Sequence, residues 1–389
     1  MKTQRLYEND AYCREFTARV VSCDPAENGF AVVLDKTAFF PEGGGQAADT
    51  GALNGVAVRD VQLRGDTVIH ITAAPLPVGE TVTGAIDWEQ RFARMQKHTG
   101  EHIVSGLIWR RYGLHNVGFH LGSEDVTLDL DGELTRQQLD EIETLANRAV
   151  WENRAVRAWF PTPQEQETLE YRSKKAVEGP LRIVEIEGID RCACCAPHVA
   201  HTGEIGAIRL LEFLRYKGGI RMHMQCGLDA LLDSRMHFHE VTAAAARLSV
   251  KPTELTGAVE RLLAQRDELS RQLRLERSRA AAAYAQTAAL DEASPLFLPG
   301  EPDNAVMRQV LEILLARGVC PAGVFVGEDT GGYRFAAMGG DDLPGIARRM
   351  KEQLNSRGGG SKEIIQGQVT APAAEIRAFW RRETGRLPE

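Results

Sequence analysis

Met95-Gln-Lys-His-Thr-Gly-Glu-His102 is the stretch on which the reading of this chain turns. Its two histidines are four residues apart. On a helix, positions i and i+4 share a face with Cβ atoms about 5–6 Å apart, so both imidazoles aim at one point. The flanking residues predict that helix: Trp88, Met95, Ile103, Val104 and Leu107 recur with helical spacing to about Tyr112. Gly100 is out of place in a helix interior. Either the motif sits at a helix start or another segment of the chain comes close to it.

Upstream, residues 1–88 read as a small β-barrel or sandwich. Ala18-Arg-Val-Val-Ser, Gly29-Phe-Ala-Val-Val-Leu, Val56-Ala-Val-Arg-Asp-Val and Thr67-Val-Ile-His-Ile are short apolar or alternating runs, punctuated by Gly, Pro, Asp and Asn. Downstream, residues 89–235 mix helices and strands without strict alternation, which predicts an α+β domain. Val126-Thr-Leu-Asp-Leu and Leu181-Arg-Ile-Val-Glu-Ile read as strands. Thr135 to about Val156 reads as a helix opened by a capping box, Thr135-Arg-Gln-Gln. Residues 236–288 read as helical throughout, within a helical or coiled-coil linker at 236–293. Within it, Leu255, Val259, Leu262, Leu269 and Leu273 follow coiled-coil spacing, interrupted by Arg266. A break at Ser294-Pro-Leu-Phe-Leu-Pro-Gly-Glu-Pro opens a small α/β domain, 294–389, in which Gly358-Gly-Gly360 beside Lys362 reads as a loop that contacts phosphate or backbone.

The second half of the metal pattern is Cys194-Cys-Ala-Pro-His198. Pro197 argues against a continuous helix, so this pair is expected on a loop. Thiolate plus imidazole suits a borderline-soft cation, and His98, His102, Cys194 and His198 make a tetrahedral Zn2+ ligand set. Four protein ligands fill that sphere, whereas a catalytic zinc keeps a place for water or substrate. Glu101, beside the histidines, is a candidate general base. Phe39-Phe-Pro-Glu-Gly-Gly-Gly-Gln46 is the other unusual string. Its glycines let backbone N–H groups approach a ligand, and Gln46 offers both an amide donor and an acceptor.

Seven cysteines, an odd number with three between 192 and 195, suit a metal or reactive site better than a disulfide framework. The absence of a signal peptide and of any apolar run of 18 residues leads to the expectation of a cytoplasmic protein without a membrane span. The net charge of −8 argues weakly against nucleic acid. Two segments are locally basic. Residues 207–223 carry Arg209, Arg215, Lys217 and Arg221 against Glu212, and residues 343–362 carry five cations against Glu352. Such stretches suit a phosphate backbone or an ordinary solvated face.

Taken jointly, the Phe39–Gln46 string with Asp49 and Gly51, the Met95–His102 stretch, Gly118-Phe-His-Leu-Gly122, Thr127-Leu-Asp-Leu, Cys194–His198 running into His201-Thr-Gly-Glu-Ile-Gly206, and Lys217-Gly-Gly-Ile-Arg221 resemble the AlaX-type alanyl-tRNA editing proteins. These are relatives of the editing domain of alanyl-tRNA synthetase, and the remainder resembles the long form of the family with its helical segment and glycine-rich C-terminal domain. The resemblance implies a zinc-dependent deacylase acting in trans on tRNA(Ala) mischarged with serine or glycine. It implies His98, His102, Cys194 and His198 as zinc ligands and a pocket lined by Gly43, Gly44, Gly45 and Gln46. Arg221 is a further candidate for substrate binding, and Glu101 and Gln46 are the candidates for catalysis. For sensing a serine hydroxyl the candidates are Gln46, Thr127 and His120. A homodimer through the helical and C-terminal regions is an open expectation. Two rival readings are a zinc-stapled RNA-binding protein without activity and a zinc peptidase, since His98-Thr-Gly-Glu-His102 also fits H-x-x-E-H.

Overall fold

A computed structural model describes residues 2–122, 126–173, 180–287 and 295–383. The junction at 288–294, including Ser294, lies outside them. The fold is mixed α+β and divides into two compact units, Met1–Ala243 and Ala244–Glu389.

The first unit opens with a closed barrel of six strands: β1 (Glu15–Ala26), β2 (Gly29–Leu34), β3 (Gly51–Leu53), β4 (Val56–Arg64), β5 (Thr67–Thr72) and β6 (Thr81–Ile86), ordered β1-β2-β5-β4-β3-β6. Alternate residues such as Phe16, Ala18 and Val20 on β1 point inward onto Val32, Leu34, Val61 and Val82. Closure leaves no unpaired edge around the barrel. A buried polar contact sits inside as well. His70 on β5 bonds the Thr37 hydroxyl and the Val32 carbonyl, and burial pushes its pKa down to about 4.

Helix α1 (Trp88–Tyr112) follows. Asp87 caps its start by accepting from the Gln90 N–H, and Gly113 ends it in the left-handed region. The middle of α1, from Lys97 to Gly106, is buried all round, so the histidine motif is mid-helix rather than at a start. Gly100 meets the close approach that its helical position implied: a Cβ there would lie 2.4 Å from the Cys226 sulfur. Strands β7 (Asn116–Leu121) and β8 (Val126–Leu130) come next, then α2 (Arg136–Trp151). The expected capping box is present, with Thr135 and Gln138 bonding reciprocally. The helix stops short of Val156, which begins β9 (Val156–Trp159).

Two sheets complete the unit. β9 pairs with β10 (Ile183–Ile186), and β10 with β11 (Asp190–Ala193). β12 (Ile208–Tyr216), β13 (Gly219–Cys226), β8 and β7 form an antiparallel sheet in that order. Val126, Leu128 and Leu130 on β8 and Ile220, Met222 and Met224 on β13 turn one face of this sheet onto Met95, Ile103 and Ile108 of α1, with α2 in the same core.

The expected continuous helix beyond residue 236 is two helices, α3 (Gly227–Arg247) and α4 (Leu255–Gln286). The break has a backbone cause. Ser249 adopts φ +55°, and Pro252 lacks the N–H that would continue the ladder. Val259, Leu262, Leu269 and Leu273 are exposed along α4. In the second unit, α4 packs Ala281 and Ala285 against α5 (Asn304–Ala316). The sheet of this unit runs β14-β15-β16-β18-β17, with β14 (Leu296–Leu298), β15 (Ala322–Glu328), β16 (Gly332–Met338), β17 (Arg357–Gly360) and β18 (Ile364–Val369). Helices α6 (Leu343–Leu354) and α7 (Ala373–Glu383) cover it through Ile346, Met350, Phe379 and Trp380. Gly358-Gly-Gly360, expected as a loop, is the edge strand β17. Without side chains the glycines carry no alternating pattern to announce it. No helix among the described residues is long and apolar enough to cross a membrane.

Candidate functional site

His98 and His102 project from one face of α1. The loop after β11 brings Cys194 and His198 to them, as Pro197 led one to expect. One ligand atom from each of the four residues lies within 4.8 Å of all the others, a group able to hold a metal ion. The Cys194 sulfur is 3.5 Å from His98 Nε2 and 3.3 Å from His198 Nε2. All three imidazoles are buried. The cysteine loop is fastened by Arg182, whose Nη1 donates to the carbonyls of Cys194 and Ala196, while the Cys194 N–H bonds the Arg182 carbonyl.

Each imidazole is oriented from behind. His98 Nδ1 lies 2.9 Å from Gln46 Oε1, and His102 Nδ1 lies 3.0 Å from Asp190 Oδ2. His198 Nδ1 lies 3.0 Å from the Thr99 hydroxyl. That hydroxyl gives its one proton to the Met95 carbonyl, so it accepts from His198. All three partners are therefore acceptors. They accept from each Nδ1 and turn every Nε2 toward the centre, the orientation that metal-binding histidines require.

Electrostatics follow the same arrangement. Burial pushes the Cys194 thiol up, but its interactions with the imidazoles of His98, His198 and His102 outweigh it and hold the thiol well below its ordinary value. Burial drives His198 down to about 3, keeping it neutral. Burial alone would also lower His102, yet hydrogen bonds with Asp190 and Cys194 raise it to about 9. Neighbouring Cys195 is pushed up to about 11 by burial and by Cys194, so it is the poorer thiolate.

The glycine string forms one wall. Gly43 and Gln46 exchange backbone hydrogen bonds across a turn, and the Leu121 N–H on β7 donates to the Gly45 carbonyl. Gly45 has φ +84°, and a Cβ there would fall 2.6 Å from the Phe119 carbonyl, so the approach to β7 needs glycine. Phe119 also packs its ring on His98, with centroids 4.9 Å apart. Gln46 itself is buried. Its Oε1 is taken by His98, and its Nε2 has no hydrogen-bond partner among the described residues. Asp49, three residues on, pairs with buried Arg91 of α1 and accepts from the Phe40 N–H, which locks this loop to the helix.

The structure separates other expected residues from this cluster. Glu101 is buried but accepts from Ser105 and Asn116 Nδ2, and it is not in the convergent group. The converging set is His, His, Cys and His rather than the two histidines and distant glutamate of an inverted zinc peptidase. Arg221 makes a two-pronged ion pair with Asp129 and stacks on Tyr216. Strand parity turns its side chain away from α1, since its neighbours Ile220 and Met222 face that helix. Thr127 and His120 are paired across β7 and β8 on the same outward face. The residues that sequence reasoning passed over are Thr99, Asp190 and Arg172. A cleft of about 610 Å³ lies behind Asp190, lined by Trp109, Arg110, Arg157, Tyr171, Arg172 and Arg191 among others, and holds none of the four convergent residues.

Comparison with known proteins adds the following. Residues 13–90 match the family described as class II tRNA synthetases (A), and residues 181–221 match the second additional domain of threonyl and alanyl tRNA synthetases. The alanine–tRNA ligase of Ignicoccus hospitalis is 31% identical over 373 residues, covering 92% of this chain and 40% of that protein. The alanine–tRNA ligase of Pyrococcus abyssi is 32% identical over 389 residues, with 95% and 42% coverage. The alanyl-tRNA editing protein Aarsd1 of Mus musculus is 35% identical over 223 residues, with 53% and 54% coverage. The chain thus spans about half the length of the curated relatives it matches.

Proposed function

We propose that this chain, a relative of the alanyl-tRNA synthetases and alanyl-tRNA editing proteins and similar to the AlaX type, is a zinc-dependent hydrolase that removes serine from mischarged tRNA(Ala). The donor set supports zinc. Zn–N bonds of about 2.0–2.1 Å and a Zn–S bond of about 2.3 Å give tetrahedral N···S edges of about 3.5 Å, beside the observed 3.3 and 3.5 Å. His98, His102, Cys194 and His198 hold the ion. With four protein ligands its sphere is full, so it would act on a substrate oxygen as a Lewis acid only by releasing one ligand or expanding to five.

The observation that carries the selectivity is the unpartnered amide nitrogen of Gln46. Because His98 occupies Oε1, the side chain cannot turn round, and a donor is presented in a buried place. A seryl hydroxyl satisfies that donor. Alanine leaves it buried and unpaired, at about 1–3 kcal/mol, or roughly 5- to 150-fold in rate. A synthetic pocket shaped for alanine rejects an added hydroxyl poorly, so a second site that demands the hydroxyl is the physically economical remedy. Glycine lacks the hydroxyl as well, and this reading ranks it below serine. Glu101 is assigned to holding α1 on β7 rather than to acting as a base. An aminoacyl ester is already activated, so orientation and oxyanion stabilisation suffice.

The test is hydrolysis of seryl-, glycyl- and alanyl-tRNA(Ala) by wild type, Cys194→Ala and Gln46→Glu. Wild type should cleave the seryl ester fastest and Cys194→Ala should be inactive. Gln46→Glu, which keeps an acceptor for His98 and exchanges the free donor for a second acceptor, should retain zinc and change the ratio of seryl to alanyl cleavage, because the hydroxyl must then donate rather than accept. If zinc-loaded wild type leaves all three esters intact, the reading is wrong.

A further inference from the structure

Of the three imidazoles in the site, His98 and His198 lean on neutral acceptors, Gln46 and Thr99. His102 alone leans on a carboxylate, and that carboxylate is itself held. Asp190 Oδ1 accepts from Arg172 Nε at 2.7 Å and Oδ2 from Arg172 Nη2 at 2.9 Å, while Oδ2 also accepts a hydrogen bond from His102 Nδ1. Both partners of the ion pair are buried.

The backbone around the pair is equally determined. The Arg172 N–H donates to the Arg191 carbonyl, and the Ala193 N–H donates to the Arg172 carbonyl, so the arginine is stitched to β11 by its own main chain. Asp190 opens β11, and Cys194 follows that strand's last residue. One strand therefore sets the acceptor behind His102 and, four residues later, the sulfur in front of it. Its turn rests on Gly106 of α1, where a Cβ would lie 2.8 Å from the Ile189 carbonyl and 2.7 Å from Asp190 Cβ.

We propose that Asp190, clamped by Arg172, is a positioning residue that sets how tightly the site retains its metal, by fixing the tautomer of His102 and the basicity of its Nε2. A charged acceptor behind an imidazole makes the opposite nitrogen a stronger ligand. Arg172 keeps the carboxylate aimed at His102 Nδ1, so that Nε2 is the nitrogen turned toward the other ligands. This inference rests on the metal-site part of the reading above and not on the identity of the ester.

The experiment uses the full chain. Zinc affinity is measured by competition with a chromophoric chelator, and the cobalt-loaded protein is examined by visible absorption. Asp190→Asn alone leaves Arg172 buried without its counter-charge, so it perturbs the fold as well as the site. The decisive variant is the double one, Asp190→Asn with Arg172→Met, which removes the stranded charge. The expected result is recovery of metal-free melting toward wild type, with zinc bound about 10- to 100-fold more weakly and altered cobalt bands. A double variant that binds zinc as tightly as wild type overturns the proposal. So does one that fails to fold, which would make the pair an element of the fold alone. Deacylation is scored separately. Wild type that binds zinc but spares seryl-tRNA(Ala) sinks the deacylase reading and leaves this one standing.

Discussion

Replacing Gly106 with alanine separates what the sequence suggests from what the structure requires. On sequence alone the change is favourable, because alanine is about 1 kcal/mol better than glycine in a helix interior. In the structure the new Cβ falls 2.7 Å from Asp190 Cβ and 2.8 Å from the Ile189 carbonyl, whereas ordinary contact begins at 3.4 Å. Neither neighbour is the free end of a side chain, so the β10–β11 turn must retreat by about 0.7 Å. Overpacking of this kind costs about 1–3 kcal/mol. After the gain in helix propensity, the metal-free protein should be about 0–2 kcal/mol less stable than wild type. The larger effect is on His102. A retreat of that size stretches its 3.0 Å bond to Asp190 beyond hydrogen-bonding distance. Zinc affinity should then fall about 10- to 100-fold. At fixed excess zinc, each tenfold loss removes about 1.4 kcal/mol from the stabilisation that zinc confers. The assay is denaturant unfolding of both proteins, each with and without zinc. If Gly106→Ala is more stable without metal and gains as much from zinc as wild type does, the contact at Gly106 does not govern the site.

Two further outcomes follow from buried charge. Asp49→Ala strands Arg91, which is buried and donates to Asp49 and to the Ala11 and Ala38 carbonyls. Chemical unfolding should show a loss of about 3–5 kcal/mol, much of it regained in Asp49→Ala with Arg91→Met; an Asp49→Ala protein as stable as wild type would show the pair to be dispensable. His70 gives a pH dependence of known sign. Its folded pKa of about 4 lies below the ordinary 6.5, so it has no effect above pH 6.5. As the pH falls from 6.5 toward 4, the unfolded chain binds a proton that the barrel refuses, and stability drops by up to about 3 kcal/mol. The His70→Gln variant should lose that slope in melts recorded across this range, and an unchanged slope would place its origin elsewhere.

The parts of the site legible in the sequence were those set by local geometry. The i, i+4 histidines needed only a helix, and the loop at Cys194–His198 needed only Pro197. The closeness implied by Gly100 is a contact with Cys226, but a helical glycine says that something approaches and not what. Asp190 was not legible because Gly188-Ile-Asp-Arg reads as turn chemistry; its role depends on the register of β11 against α1, 88 residues away in sequence from His102. Arg172 depends on a main-chain pairing with that same strand. Thr99 was hidden inside the motif. A helical threonine ordinarily bonds the carbonyl four residues back, and Thr99 does so with Met95. Doing so is what leaves its oxygen free to accept from His198. Outside the site, the expected helix beyond residue 236 failed at Ser249, whose left-handed conformation no periodicity announces.

The origins of the three acceptors constrain how this site can vary. Gln46 comes from the loop between the second and third barrel strands, Thr99 from the helix that carries the histidines, and Asp190 from the β10–β11 turn. Among the described residues, Gln46 alone both orients a histidine and presents an unused donor. A change at Asp190 or Thr99 therefore acts on metal retention and leaves the recognition group in place. A change at Gln46 that removes both atoms acts on retention and recognition together. On the proposed function, discrimination would be tied to the barrel loop, whose position depends on Gly45 against β7 and on Asp49 against Arg91. Relaxing either contact should blur the choice of amino acid before it releases the metal, because three of the four ligands would keep their supports.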